Sequence, residues 1–141
     1  KSYVTSSLAN KLKLVPIEES DLTVYTFGSQ KPKLIKTSLV TLKVCLKNDR
    51  ILEILAYVIP RITGSLASNF EVKNEVAKNY PLYSMAEDAQ DDCQADLLIG
   101  SDYYYTFVLG GLKKIGENLF LIETVLGWIL SGQPDDLPPS E

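Results

Sequence analysis

The stretch VTLKVCLKNDRILEILAYVI at residues 40–59 leaves little choice of secondary structure. Val40, Leu42, Val44 and Leu46 alternate with Thr41, Lys43 and Cys45, the period-two signature of a strand with one buried face. Lys47-Asn48-Asp49-Arg50 is a short polar turn. The following run from Ile51 to Ile59 is apolar on both faces apart from Glu53, which predicts a strand central in its sheet, and Pro60 closes it. A chain with this segment at its middle must build a sheet and cover at least one of its faces.

The flanks extend the pattern. Leu22 to Phe27 is β-branched and aromatic, Gly28-Ser29-Gln30-Lys31-Pro32 is turn-like, and 33–46 is strand-like again, which predicts a hairpin with a glycine at its tip. Lys31, Lys33 and Lys36 alternate with apolar neighbours and read as the solvated side of an edge strand. Before the hairpin, Val4, Leu8 and Leu12 recur every fourth residue and predict a short helix over 3–13. After Pro60 the chain is irregular: residues 68–78 are polar and read as loop, with a short helix expected at 82–89. Leu97-Leu98-Ile99 predicts a buried strand that Gly100 stops, and Ser101 or Asp102 is placed to cap a helix running from Tyr103 to Leu109. Two short strands, 119–123 and 125–130, complete a domain at 1–132, and 133–141 is a Pro- and acid-rich tail.

A chain of 141 residues is long enough for one domain with a real core. It contains no histidine, which removes Ser-His-Asp and Cys-His catalysis and histidine-ligated metals. Its two cysteines, Cys45 and Cys93, lack metal-type spacing and read as reduced thiols. A net charge of −4 argues against nucleic acid as a partner. No run is long and apolar enough to span a membrane, and no cofactor motif is present. Asp91, Asp92 and Asp96 form an acidic cluster read as a solvated loop. The tyrosines 103–105 are divided between core and surface, and Trp128 is a core anchor.

The phrases "ADLLIGSDYYYTFVLGG" at 95–111 and "LIETVLGWILSG" at 121–132 are specific. With "KSYVTSSLANKLKL" at 1–14 and "TVYTFGSQKPK" at 23–33, they resemble the retropepsin-like aspartic peptidase domain of Bel/Pao-type retrotransposon polyproteins. The resemblance implies a mainly β, closed-barrel acid-protease lobe with two or three short helices. It implies an endopeptidase that needs no cofactor, works as a homodimer on a polyprotein peptide, and acts in the cytoplasm. Two aspartates, one per chain, would share a proton and activate water. By the same resemblance Thr26, Phe27, Gly28 and Ser29 form a flap over the substrate, and Leu98, Ile99 and Gly100 brace the active-site loop from behind.

The chain departs from that pattern at the decisive place. The resemblance puts the catalytic Asp-Ser/Thr-Gly motif immediately ahead of Lys1, and no aspartate within 1–141 is followed by Ser-Gly or Thr-Gly. Thr26-Phe27-Gly28-Ser29-Gln30 and Thr63-Gly64-Ser65 come nearest and lack the acid. No residue here is therefore assigned to catalysis, and the chain by itself is expected to be inactive. A non-catalytic peptide-binding or dimerisation module built on the same fold stands as the alternative.

Overall fold

The computed structural model describes residues 1–25, 31–62, 70–86 and 94–133. The chain is mainly β and divides into two compact units, Lys1–Val44 with Ile51–Gly64 and Ala95–Tyr103, and Cys45–Arg50 with Ser65–Gln94 and Tyr104–Glu141.

The first unit is built on five strands: β1 (Tyr3–Thr5), β2 (Pro16–Val24), β3 (Lys33–Cys45), β4 (Ile51–Ile59) and β5 (Leu97–Leu98), in the order β2-β3-β4-β1-β5. The β2–β3 hairpin is antiparallel, pairing Leu22 with Ile35 and Val24 with Lys33, and its register slips between Pro16 and Glu18. Pro16, which has no N–H to give, stands at the first position of an edge strand where that loss is tolerated. The edge is thus β2. Lys33 and Lys36 are exposed, yet they belong to β3, an interior strand, because β2 begins as early as Pro16 and covers the β3 flank.

Val40 and Leu42 of β3 and Ile54 and Ala56 of β4 are buried, as the period-two pattern requires, together with Val4 and Leu22. β4 is central, but it is not buried on both faces: Ile51 and Leu55 are 64% and 42% exposed. The Lys47–Arg50 turn is tight, with Asp49 at φ 62° and the Leu46 amide donating to the Arg50 carbonyl over 2.8 Å.

The expected helix over 3–13 is shorter than its spacing suggested. Tyr3–Thr5 is strand, and α1 spans Ser6–Lys11. Val4 is fully buried because β1 inserts between β4 and β5, parallel to the first and antiparallel to the second. Thr5 caps α1, its hydroxyl accepting from the Leu8 amide (3.3 Å) and donating to Asp96 Oδ1 (2.8 Å). α1 ends in a Schellman turn: the Leu14 amide reaches the Ala9 carbonyl, the Lys13 amide reaches that of Asn10, and Lys13 takes φ 55°.

The second unit carries α2 (Phe70–Asn79) and the antiparallel sheet β6 (Val108–Lys114), β7 (Leu119–Thr124) and β8 (Gly127–Gly132), in that order. α2 lies where loop was expected, and 82–86 is not helical. Val72 and Val76 stand four apart on one side of α2, with Val76 buried and Tyr80 just past the helix end; Glu71 at the first turn and Lys78 at the last suit the helix dipole. α3 (Ser101–Phe107) stops two residues short of the expected end, and β6 begins at Val108 with Gly110 at φ 91°. Val125 and Leu126 form a turn rather than strand: the Thr124 hydroxyl accepts from the Leu126 amide and donates to the Gly127 carbonyl. Trp128 is half-buried and meets Tyr83 edge-on, ring centres 4.8 Å apart, while Ser84 and Ala86 pair with it through backbone.

Among the described residues the ladders form two open sheets, and none closes a barrel. β5 has only two residues and pairs with β1 alone, and β6–β8 bond to one another. Among the described residues, no helix is long and apolar enough to cross a membrane.

Candidate functional site

A polar arrangement gathers at the start of β1. Ser2 is 1% exposed. Its Oγ donates to Asp102 Oδ1 (2.8 Å) and accepts from the Gly100 amide (2.9 Å). The same carboxylate oxygen accepts from the Tyr103 amide (3.1 Å), and that amide also approaches the Gly100 carbonyl (3.2 Å). A serine at one end of the chain and an aspartate a hundred positions on thus close a clasp across the β1–α3 junction.

Gly100 is the hinge of this clasp. A Cβ built there would lie 2.0 Å from the Lys1 carbonyl oxygen and 2.7 Å from its carbon, a collision with backbone that no rotamer relieves. Glycine is required by this close approach, not by a special φ. Of the expected brace, Leu98 pairs with Tyr3 in register, and Gly100 touches Lys1. The three residues are not a buried strand: Leu98 is 47% exposed and Ile99 half-buried, because β5 is a two-residue edge.

Asp102 is not the helix cap. α3 already begins at Ser101, and the Asp102 carboxylate is committed to Ser2. Tyr103 is half-buried, and its phenol oxygen accepts the Leu55 amide of β4 (2.9 Å). Tyr104 and Tyr105 are 48% and 86% exposed. Asp96 is exposed in a loop, as its reading as part of a solvated loop expected, and is also tied to Thr5 through side chain and backbone. On the other side of β1, Lys1 Nζ lies 5.4 Å from the centre of the Tyr57 ring, and Tyr3 packs against the same ring at 6.4 Å.

The flap residues Thr26, Phe27, Gly28 and Ser29 lie outside the described residues, as do Asp91, Asp92 and Cys93. Among the described residues, no cluster of three or more Cys, Asp or Glu side chains is arranged to hold a metal ion. At the far end of β1, a separate cleft of about 590 Å³ opens between α1 and the β2–β3 hairpin, lined by Ser6, Glu19, Asp21, Lys36 and Thr37 among others.

Sequence reading found Gly100 and missed Ser2 and the acceptor role of Tyr103. The available signal was the Gly-Ser-Asp-Tyr order itself, which places a carboxylate and a phenol on the first turn after a glycine.

The chain belongs to the family described as "Putative peptidase (DUF1758)", whose model matches residues 1–137. It is a peptidase-like domain. No curated protein and no solved structure matches the chain.

Proposed function

We propose that this chain is a lobe of an aspartic endopeptidase of the retrotransposon-polyprotein kind. In this reading its catalytic aspartate is carried by the backbone entering β1, ahead of Lys1, and two copies pair to complete the dyad. The observation that carries the reading is the contact between Gly100 and the Lys1 carbonyl, because it sets the apolar-apolar-Gly element directly against the place where that loop would arrive.

The chemistry follows from the dyad. Two carboxylates about 3 Å apart cannot both be ionised, so one takes a proton from water while the other protonates the carbonyl oxygen of the scissile bond. One lobe brings one carboxylate, so activity requires a two-fold dimer. The hairpin tip at 26–30 would lie over an extended peptide held by backbone hydrogen bonds. Histidine has no part in this mechanism, consistent with a chain that has none.

The test is the binding of a statine-type peptide, whose hydroxyl imitates the tetrahedral intermediate. A protein carrying the residues naturally upstream of Lys1 should bind it as a dimer, and the 141-residue chain alone should not. A longer protein that dimerises and ignores the statine peptide would overturn the peptidase reading in favour of a binding or dimerisation module.

A further inference from the structure

β2 is an outer strand of the first unit's sheet, and the features that blunt such an edge are gathered at one end of it. Pro16 and the register slip between Pro16 and Glu18 interrupt its start. From Glu18 to Val24 the pairing with β3 then runs residue by residue, from Leu39 to Lys33. Among the described residues no strand covers the other side of that run, so its alternate amides and carbonyls face outward.

The charge along the run has one sign. Glu18, Glu19 and Asp21 are exposed, and β2 contains no Lys or Arg. The Glu18 carboxylate accepts from the Ser20 hydroxyl over 3.1 Å. Those of Glu19 and Asp21 have no hydrogen-bond or ion-pair partner among the described residues, although Lys36 is the register partner of Asp21 across the hairpin. Two positions apart on a strand, Glu19 and Asp21 project to the same side. Both line the cleft of about 590 Å³, to which Val58 and Pro60 add an apolar wall. A second copy of the chain is a poor occupant, because two-fold pairing of β2 with β2 would set these carboxylates against their own counterparts. The charge fits an extended segment rich in Lys or Arg.

We propose that the open edge of β2 from Glu18 to Val24, with the cleft beside it, docks an extended lysine- or arginine-rich peptide segment, which joins the sheet as a strand next to β2. Main-chain hydrogen bonds to β2 hold the segment, and basic side chains at alternate positions reach Glu19 and Asp21. The site is made only of residues in this chain, and it stands whether or not the peptidase reading holds.

The experiment uses the natural protein and a short fluorescein-labelled peptide in which lysine alternates with valine and threonine, with fluorescence anisotropy as the readout. The expected results are saturable binding that weakens as salt is added, and slower hydrogen exchange at the β2 amides between Glu18 and Val24 when the peptide is present. Glu19→Gln combined with Asp21→Asn, both at exposed positions, should raise Kd roughly 3- to 10-fold, the scale of two exposed ion pairs. The same peptide N-methylated throughout its backbone should lose binding, as should one with glutamate in place of lysine. No binding at about 1 mM peptide overturns the proposal, and so does an unchanged Kd in the double variant. An N-methylated peptide that binds as well as its parent leaves charge attraction alone and overturns docking as a strand. Protection from exchange confined to strands other than β2 places the peptide elsewhere and overturns the site.

Discussion

Gly100 and Ser2 lie 98 positions apart and meet within hydrogen-bond distance, so the fold depends on what two small residues allow. A Cβ at position 100 would meet the Lys1 carbonyl at 2.0 Å, and the obstruction is backbone in a strand whose next residues are buried. Overpacking of tight sites usually costs about 1–3 kcal/mol, and more when nothing soft can move. Gly100→Val should therefore lower unfolding free energy by roughly 3 kcal/mol or more in a urea titration. Stability within about 0.5 kcal/mol of wild type, the range of ordinary surface substitutions, would mean that Gly100 does not press on β1. The glycine was legible in the sequence as the stop after Leu97-Leu98-Ile99. Its partner was not, because no local pattern links a serine at position 2 to an aspartate at 102. The Asp102 side chain satisfied the rule for a cap equally well, and the long-range bond to Ser2 prevailed.

Among the elements, the hairpin β2–β3 and the pair β3–β4 followed from period two and turn chemistry alone, since side-chain alternation directly decides which face is buried. α2 escaped because its apolar stripe is thin, with β-branched valines at two of its positions and charged or amide residues at six of its ten, so its helicity is set by the packing of Val76 more than by propensity. β1 and α1 read as one helix because a three-residue strand is too short to show its own period. Their junction is Thr5, which caps α1 and holds Asp96. Thr5→Ala should cost about 1–2 kcal/mol, the range for a lost cap, and hydrogen exchange at the Leu8 amide should quicken. Unchanged exchange there would remove the capping role. Lys13 holds a left-handed turn that glycine would adopt without strain. Lys13→Gly should raise the thermal midpoint, by about 0.5–1 kcal/mol of net stability once the flexibility of glycine is set against the relieved strain. A lower midpoint would contradict the Schellman ending of α1.

For the whole molecule, the proposed function turns on β1. It lies between β4 and β5, its register is fixed by Tyr57 and Leu98, and Ser2 just ahead of it is held by Gly100 and Asp102. Family membership makes the domain peptidase-like. The mainly β class was readable from the strand runs. The division of those strands into a five-stranded and a three-stranded sheet was not, because ladder partners distant in sequence leave no periodic trace. The proposed catalytic acid rests on the family resemblance alone, since no aspartate within 1–141 is followed by Ser-Gly or Thr-Gly. The most direct measurement is cleavage of the proposed polyprotein substrate by the natural protein that includes the residues upstream of Lys1, compared with the same protein carrying Asp→Asn in the Asp-Ser/Thr-Gly motif proposed there. The account predicts cleavage in acid that a statine-type inhibitor stops and that the substitution abolishes. Cleavage that survives the substitution, or an upstream sequence with no such aspartate, would contradict it.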